Sequence, residues 1–435
     1  MSIRTHPAPV AEVAAELRTG ERDPVAYVDD LCDRIAAIDD DLGAFVPEPD
    51  RRGRLREAAA ALPERFPDPA DRPPLYGIPV GVKDIVHVDG FVTRAGSALP
   101  PALFAGGEAS CVERLREAGA LVAGKTVTTE FAGAAPGLTR NPHDLDHTPG
   151  GSSSGSAAGV AAGLVPLALG TQTGGSVIRP AAFCGVVGVK PSFERIPRAG
   201  VIERSGSLDH VGFFTQDVAG ARVAASVLCD DWAADDPAPD GPPAVGVPEG
   251  SYLDNASPEA LSAYEAGLDR LADAGCRVER VTVPTFEAFE ALDRRHRRLH
   301  AAELALVHHG TFDDYRAFYR TPMAERIEDG RAVTAGQLAE SRASRLALRA
   351  ELEALLDGHD LDVWAAPAAP GAAPETIRST GDPVMNRPWT HAGLPVVTLP
   401  AERAANGLPL GVQFAAPFGA DERLLAWAVT LADAL

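Results

Sequence analysis

Two glycine-serine segments carry hydroxyl groups that could act in catalysis. The first reads GGSSSGS at 150–156, and the second reads GGS at 174–176. A serine hydroxyl becomes an effective nucleophile only when a base lies within hydrogen-bonding reach. Glycines beside it leave backbone N–H groups open to a developing oxyanion. The pattern favours Ser176 as a candidate nucleophile, but no histidine lies in this segment to serve as its base.

The chain contains few lysines, and one of them could be the base that Ser176 requires. Among 40 basic residues, only Lys83, Lys125 and Lys190 are lysines. A desolvated lysine can lose its proton and act as a base, whereas arginine stays protonated. Each lysine can therefore be present because its amine has a chemical role, or because of chance or a packing constraint. The composition alone leaves both interpretations open.

Two other motifs are weaker candidates. GALVAGKT at 119–126 matches the P-loop pattern, but a helical segment precedes it and its variable residues form an apolar strand, so nucleotide binding through Lys125 remains only an alternative. RRHRRLH at 294–300 lacks the acid of a zinc-peptidase HExxH motif. A solvated helix face is the favoured interpretation for His296 and His300, and equally for His308 and His309.

The order of apolar segments predicts an α/β fold. Strand-like segments at 77–86, 120–124 and 165–170 alternate with helical patterns such as 107–119. The pattern loosens between 190 and 250 and ends in a proline-rich and aspartate-rich stretch at 232–245, which predicts a surface connection. Strand signals return at 361–367, 394–400 and 408–415, before a final helix at 421–435.

Composition excludes several classes of function. The 61 acidic and 40 basic residues give a formal net charge of −21, which disfavours direct binding to nucleic acid or an anionic membrane. The five widely spaced cysteines include no CxxC pair, so neither a zinc site nor a disulfide framework is predicted. Neither a signal peptide nor a transmembrane segment is apparent, and a cytoplasmic location is expected.

The chemical motifs together resemble the amidase signature family of serine hydrolases. GGSSSGS and GGS lie at the family's spacing, and GIPVGVKD resembles the segment that carries the family's catalytic lysine. AGKTVTTEFA, FCGVVGVKPS, DHVGFFTQDV and the late GDPVMNRPWTHAGLPVVTLP also resemble family blocks. The resemblance covers about residues 25–430. It implies a single large domain with a central mixed β-sheet covered by helices on both faces.

The resemblance also assigns roles to individual residues. It implies that Lys83 is the base, that Ser152 follows a cis peptide bond and relays the proton, and that Ser176 is the nucleophile. The pKa of Lys83 would then have to fall from about 10.4 toward neutrality. The backbone N–H groups implied to form the oxyanion hole are those of Thr173, Gly174, Gly175 and Ser176. Lys125 and Lys190 are expected to be structural, and neither a metal nor a cofactor is expected.

Two residues depart from the family pattern. Gln172 stands where the family usually has an acid, and Arg179 lies one position later than the family's arginine. In a helical turn, one position rotates a side chain by about 100°, so Arg179 is expected to make different contacts. Neither departure removes a group that the chemistry requires.

The resulting functional hypothesis is a stand-alone serine amidohydrolase that acts on a small carboxamide. The alternatives are a glutaminase subunit of a tRNA-dependent amidotransferase and a catalytically silent binding protein on the same fold. Residues 1–65 are expected to form a helical layer of the same domain as 66–435, with a mostly helical segment at about 255–357. A small-molecule amide is the expected partner, and a homodimer is left open.

Overall fold

A mixed β-sheet forms the centre of the molecule. The computed structural model describes residues 6–133, 135–233 and 241–435. Within them, ten strands form one sheet in the order β2-β1-β3-β5-β4-β9-β10-β8-β6-β7. The strands are β1 (Pro79–Lys83), β2 (Leu121–Thr126), β3 (Leu167–Gln172), β4 (Val187–Lys190), β5 (His210–Thr215), β6 (Ala244–Glu249), β7 (Arg277–Thr282), β8 (Val363–Pro367), β9 (Val396–Arg403) and β10 (Pro409–Ala415).

Helices cover the sheet on both faces. They are α1 (Val10–Thr19), α2 (Pro24–Leu42), α3 (Arg51–Ala60), α4 (Leu62–Arg65), α5 (Ser110–Glu117), α6 (Ser154–Ala161), α7 (Ile178–Cys184), α8 (Val218–Leu228), α9 (Pro258–Asp273), α10 (Pro284–Glu287), α11 (Phe289–Val307), α12 (Phe312–Tyr315), α13 (Thr321–Arg331), α14 (Ala335–Gly358), α15 (Arg387–Ala392) and α16 (Asp421–Ala434). Short 3-10 helices occur at Pro69–Asp71, Pro101–Phe104, Glu130–Ala132, Leu253–Asn255 and Arg316–Phe318. Among the helices of the described residues, none combines the length and apolar character needed to cross a bilayer.

Apolar side chains alternate between two layers of core. In β3, Leu167 and Leu169 belong to one hydrophobic cluster, and Ala168 between them belongs to another. In β10, Phe414 and Ala415 likewise lie in different clusters. Successive side chains of a strand point to opposite faces, so a sheet covered on both faces must be apolar on both. This arrangement confirms the predicted α/β class and its mixed, two-sided sheet.

Three parallel strands bring their carboxyl ends to one edge of the sheet. β1 pairs in parallel with β2 on one side and with β3 on the other. The residues that come directly after these three strands therefore leave the sheet at the same edge, where α/β proteins commonly bind ligands. Lys83 ends β1 and Gln172 ends β3. The candidate base and the segment before Ser176 are thus placed side by side.

Some strands and helices were not predicted from the sequence. The interval 190–250 contains β5, α8 and β6, so the prediction of a looser connection was wrong for these elements. Part of the predicted surface connection, 234–240, lies outside the described residues. β7 interrupts the segment predicted to be mostly helical, and its burial pattern is largely exposed because it ends the sheet. An edge strand that is exposed to solvent contains few apolar residues, so its sequence gives only a weak indication of a strand.

Candidate active site

Lys83 lies buried in direct contact with Ser152. Its Nζ is 2.7 Å from Ser152 Oγ, 2.7 Å from Thr171 Oγ1 and 3.4 Å from the Thr171 carbonyl oxygen. Burial drives the pKa of Lys83 well below its usual value, the charge of Arg204 lowers it further, and Asp209 opposes the shift. This environment favours the neutral amine, which has a lone pair that can accept a proton.

The loop before α6 fixes the position of Ser152. The peptide bond between Gly151 and Ser152 is cis, as the resemblance implied. The Ser152 carbonyl accepts a hydrogen bond from the Thr129 N–H at 3.3 Å. The Ser154 hydroxyl donates to the Gly150 carbonyl at 2.8 Å. These contacts hold both sides of the loop, so the Ser152 hydroxyl reaches the buried amine.

Gln172 organises the turn that leads from β3 into α7. Its Oε1 accepts hydrogen bonds from the N–H groups of Val177 at 2.8 Å and Ile178 at 3.0 Å. Its Nε2 donates to Thr390 Oγ1 at 2.9 Å. The first N–H groups of a helix need such acceptors. The neutral amide at this position therefore acts by hydrogen bonding at the start of α7.

The segment 173–176 is held from both sides. Thr173 Oγ1 donates to Asp209 Oδ1 at 2.6 Å. A Cβ added at Gly175 would lie 2.2 Å from Asn386 Oδ1 and 2.8 Å from Pro383 Cβ, so only glycine fits there. Within the described part of the chain, no acceptor takes a hydrogen bond from the N–H groups of residues 174–176. Those N–H groups are therefore available to an oxyanion.

A cavity of about 220 Å³ opens over this segment. Among its lining residues are Ser152, Thr173, Gly174, Gly175 and Ser176. Lys83 is not in the lining and lies behind Ser152. In the residues described, the Ser176 hydroxyl makes no hydrogen bond to a protein group, and it is partly exposed. The structure thus joins Lys83 to Ser152 directly and gathers the other predicted site residues around one cavity.

Basic side chains complete the cavity wall and were not predicted as site residues. They are Arg179, Arg204, Arg297, Arg326, Arg378, Arg387, His296 and His300. They come from α7, α11, α13, α15 and two loops, which are far apart in the sequence. The one available signal was the concentration of basic residues at 294–300 in an otherwise acidic chain.

The prediction of a solvated helix face was wrong for three of the histidines. His296 is buried with its ring 5.5 Å from that of His391, and burial drives its pKa well below the usual value. His300 accepts a hydrogen bond from Arg204 Nε. His308 is buried, and its Nδ1 lies 2.9 Å from the Tyr319 hydroxyl. His309 is exposed, as predicted, and so is Arg294 on α11.

Arg179 turns inward from α7 rather than outward to solvent. It is 3 % exposed, and its Nη2 donates to the Gly151 carbonyl at 2.6 Å and to Thr380 Oγ1 at 3.2 Å. Its Nε and Nη1 have no hydrogen-bond partner among the described residues. Arg179 therefore links α7 to the loop of Ser152 and keeps unpaired donors at the cavity.

The other two lysines are engaged in the fold. Lys125 Nζ lies 3.0 Å from Asp84 Oδ1 and donates to the Val86 carbonyl at 2.7 Å and to Thr93 Oγ1 at 2.9 Å. Because Lys125 belongs to the buried strand β2, the segment does not form the loop that a P-loop requires. Lys190 Nζ donates to the carbonyl groups of Leu394 and Pro191.

The side chains that commonly bind metals are dispersed in the fold. In the described ranges, no group of three histidine, cysteine, aspartate or glutamate side chains could hold a metal ion. The cysteines, Cys32, Cys111, Cys184, Cys229 and Cys276, are buried free thiols.

Comparisons with known proteins point to one family. The family model described as Amidase matches residues 26–425. A relative from Thermus thermophilus, which is named as a subunit of glutamyl-tRNA(Gln) amidotransferase, is 33% identical over 468 residues, covering 97% of this chain and 96% of the relative.

Solved structures extend the similarity to the three-dimensional fold. One described as an amidase crystal structure has a TM-score of 0.86 and 32% identity, covering 98% of this chain and 100% of that chain. Native peptide amidase from Stenotrophomonas maltophilia has a TM-score of 0.83 and 27% identity, covering 98% and 96%. The similarity therefore includes both the sheet and the helices that surround the cavity.

Proposed function

The chain belongs to the amidase signature family, and on that premise we propose that it is a serine amidohydrolase that forms an acyl-enzyme on Ser176. The contact between Lys83 Nζ and Ser152 Oγ at 2.7 Å is the observation that carries this proposal. A buried amine beside a hydroxyl, at the back of a cavity that a second serine lines, is the arrangement that a Ser-Ser-Lys mechanism needs.

The proton path starts at the neutral amine. With Lys83 uncharged, its two N–H groups can donate to Thr171 while its lone pair accepts the Ser152 proton. Ser152 then takes the proton of Ser176 as the Ser176 oxygen attacks the amide carbon. Two hydroxyl protons shift by one position each, and the amine gains one proton, so charge is conserved.

The acyl step follows from the same groups. The carbonyl oxygen becomes an oxyanion, which the N–H groups of residues 173–176 stabilise by hydrogen bonds. The C–N bond breaks when Lys83, through Ser152, returns a proton to the leaving nitrogen. Ammonia or an amine departs and leaves an ester on Ser176. Water then attacks this ester by the same proton path and releases the carboxylate.

A role as the glutaminase component of an amidotransferase is the second candidate function. The identity of the Thermus thermophilus relative as an amidotransferase subunit supports this candidate more directly than it supports a stand-alone amidase. Glutamine, however, carries an ammonium group, which favours a nearby carboxylate. Among the described residues, the cavity lining includes six arginines and neither aspartate nor glutamate, and the nearby Asp209 lies behind it through its contact with Thr173. The lining suits an anionic group better than an ammonium group, and this feature favours a stand-alone hydrolase.

Labelling of the nucleophile tests the proposal. The full-length protein is treated with a fluorophosphonate, and its intact mass is measured beside that of Ser176→Ala. We expect one adduct on the wild type, none on the variant, and ammonia release from simple amides without any added partner protein. An adduct on another serine, with hydrolysis retained in Ser176→Ala, would contradict the assignment. Ammonia release only after the other components of an amidotransferase are added would favour the second candidate.

A further inference from the structure

The cavity over Ser176 is strongly cationic inside an acidic protein. Among the described residues, six arginines line it and no aspartate or glutamate does, whereas the whole chain has a net charge of −21. Concave sites with one sign of charge concentrate ions of the opposite sign. The distribution therefore points to an anion in the cavity.

Two of these arginines are already neutralised by the protein. Arg387 pairs with Asp293 at 2.5 Å and with Asp382 at 2.9 Å. Arg297 pairs with the same Asp293 at 2.7 Å. Both aspartates lie outside the lining, so they hold these arginines from behind. The pairs account for two of the six charges and leave the others to be explained.

The other four arginines of the lining form no ion pair in the described residues. One of them, Arg204, donates hydrogen bonds to His300 and to the Phe131 carbonyl instead. Arg179 is almost fully buried and keeps Nε and Nη1 unpaired in the described part of the chain. Arg326 on α13 is partly buried, and within the described residues its side chain has neither a hydrogen bond nor an ion pair. The Arg378 side chain, which is exposed at the rim, has no ion-pair partner in the same ranges. Of these last three, only Arg179 is almost fully buried. Burying a cation without a contacting carboxylate is costly, and a bound anion would lower that cost.

We infer that the substrate of this enzyme is a carboxamide that also bears a carboxylate and lacks an ammonium group. This inference rests on the proposed function, because it places the anion beside the Ser176 nucleophile. A guanidinium group offers several N–H donors in one plane and matches the two oxygens of a carboxylate. The ammonium group of an amino acid would face the same arginines, and the described part of the lining offers it no carboxylate.

The size of the cavity narrows the class of substrate. A volume of about 220 Å³ accommodates a short aliphatic chain. The amide must lie over residues 173–176, and Arg179 lies near the Ser152 loop through its contact with Gly151. A monoamide of a short dicarboxylic acid satisfies both requirements.

Three amides of equal chain length test the inference. Glutaramate carries a carboxylate, pentanamide is neutral, and glutamine adds an ammonium group to the glutaramate skeleton. Each is used to protect Ser176 from fluorophosphonate labelling, and kcat/KM is measured by ammonia release. We expect glutaramate to protect at a concentration at least about tenfold lower than the other two and to have the highest kcat/KM. Equal protection by pentanamide, or by glutamine, would overturn the inference.

Variants of the unpaired arginines test which side chains bind the carboxylate. Arg326→Met and Arg179→Met should each raise the protecting concentration of glutaramate about tenfold, and for Arg326→Met this rise should exceed any change for pentanamide. Arg326→Met keeps the test valid if Arg179→Met disturbs the Ser152 loop, because in the described ranges Arg326 has no protein partner to lose. The exposed Arg222→Met on α8 is the matched control and should behave as wild type. Wild-type affinity for glutaramate in both cavity variants would contradict the assignment.

The two proposals fail in different ways. If the wild type forms no adduct at Ser176 and releases no ammonia from any amide, the proposed amidohydrolase function is wrong. If Ser176 is labelled but glutaramate neither protects nor reacts better than pentanamide, only the inferred substrate class is wrong.

Discussion

Two buried lysines in neighbouring strands differ in what surrounds their amines. Among the described residues, Lys83 has hydroxyl and carbonyl oxygens alone within hydrogen-bonding distance, whereas Lys125 lies 3.0 Å from the Asp84 carboxylate. Burial lowers the pKa of both amines, but Asp84 opposes the shift at Lys125. The first environment suits a neutral base, and the second suits a structural cation.

Replacing each lysine with methionine separates the two roles. Lys83→Met removes a neutral amine, so we expect a small change in the free energy of unfolding and a loss of about 10²–10⁴ in kcat. Lys125→Met leaves a buried carboxylate unpaired, so we expect a loss of about 3–5 kcal/mol in stability. Urea unfolding and ammonia release, measured on both variants, give the comparison. If Lys83→Met keeps more than about a tenth of wild-type turnover, Lys83 is not the base.

At the scale of secondary structure, small residues allow α6 to pack closely against its neighbours. All of its residues are buried, and it lies directly after the loop of Ser152. A Cβ added at Gly155 would lie 2.1 Å from the Ala44 carbonyl oxygen. At Gly159 the nearest atom would be the Ala44 Cβ at 3.7 Å, which is an ordinary contact. One of the two glycines is therefore required by packing, and the other is not.

A matched pair of alanine substitutions tests this difference. Gly155→Ala forces the helix away from Ala44 and should destabilise the protein by about 1–3 kcal/mol or more. Gly159→Ala should be neutral or stabilise it by up to about 1 kcal/mol, because alanine has the higher helix propensity. Thermal or urea unfolding of both variants measures the effect. Wild-type stability of Gly155→Ala would show that α6 is not closely packed at Gly155.

The elements that bear the proposed catalytic groups were predictable, and those that shape the cavity were not. The segments 77–86 and 165–170 predicted β1 and β3 because buried parallel strands read as continuous apolar runs. The arginines of α11, α13 and α15 carry no such signal. A basic residue at a helix surface has the same local pattern whether it faces solvent or a cavity. Their convergence depends on tertiary packing, which local periodicity does not encode.

Gln172 illustrates the same limit at a single junction. The sequence shows a neutral residue where the family usually has an acid. From the sequence alone, it stays open whether position 172 affects the protonation of Lys83. The structure shows Oε1 accepting two N–H groups at the start of α7 and Nε2 holding Thr390. Thr390 in turn donates to the Gly174 carbonyl at 2.7 Å. The amide thus supports the oxyanion segment by hydrogen bonding.

At the scale of the whole molecule, buried histidines link stability to pH. His308 lies with its ring 4.7 Å from that of Phe131, beside Tyr319, and burial lowers its pKa to about 4, with the charge of Arg204 as a further cause. An unfolded histidine has a pKa of about 6.5. Between these values the unfolded chain binds a proton that the folded protein does not. Stability contributed by His308 is therefore present above about pH 6.5 and is lost as pH falls toward 4.

Replacing His308 isolates this contribution from those of all other titrating groups, which both proteins share. Between pH 7 and pH 5, wild type should lose about 2 kcal/mol more unfolding free energy than His308→Gln, because the variant lacks the extra proton of the unfolded state. Urea unfolding at the two pH values measures the difference, with His309→Gln as the exposed control from the adjacent position. A difference between wild type and His308→Gln that is the same at both pH values would mean that His308 titrates alike in the folded and unfolded chains. Burial against Phe131 and Tyr319 would then not exclude the charged imidazole.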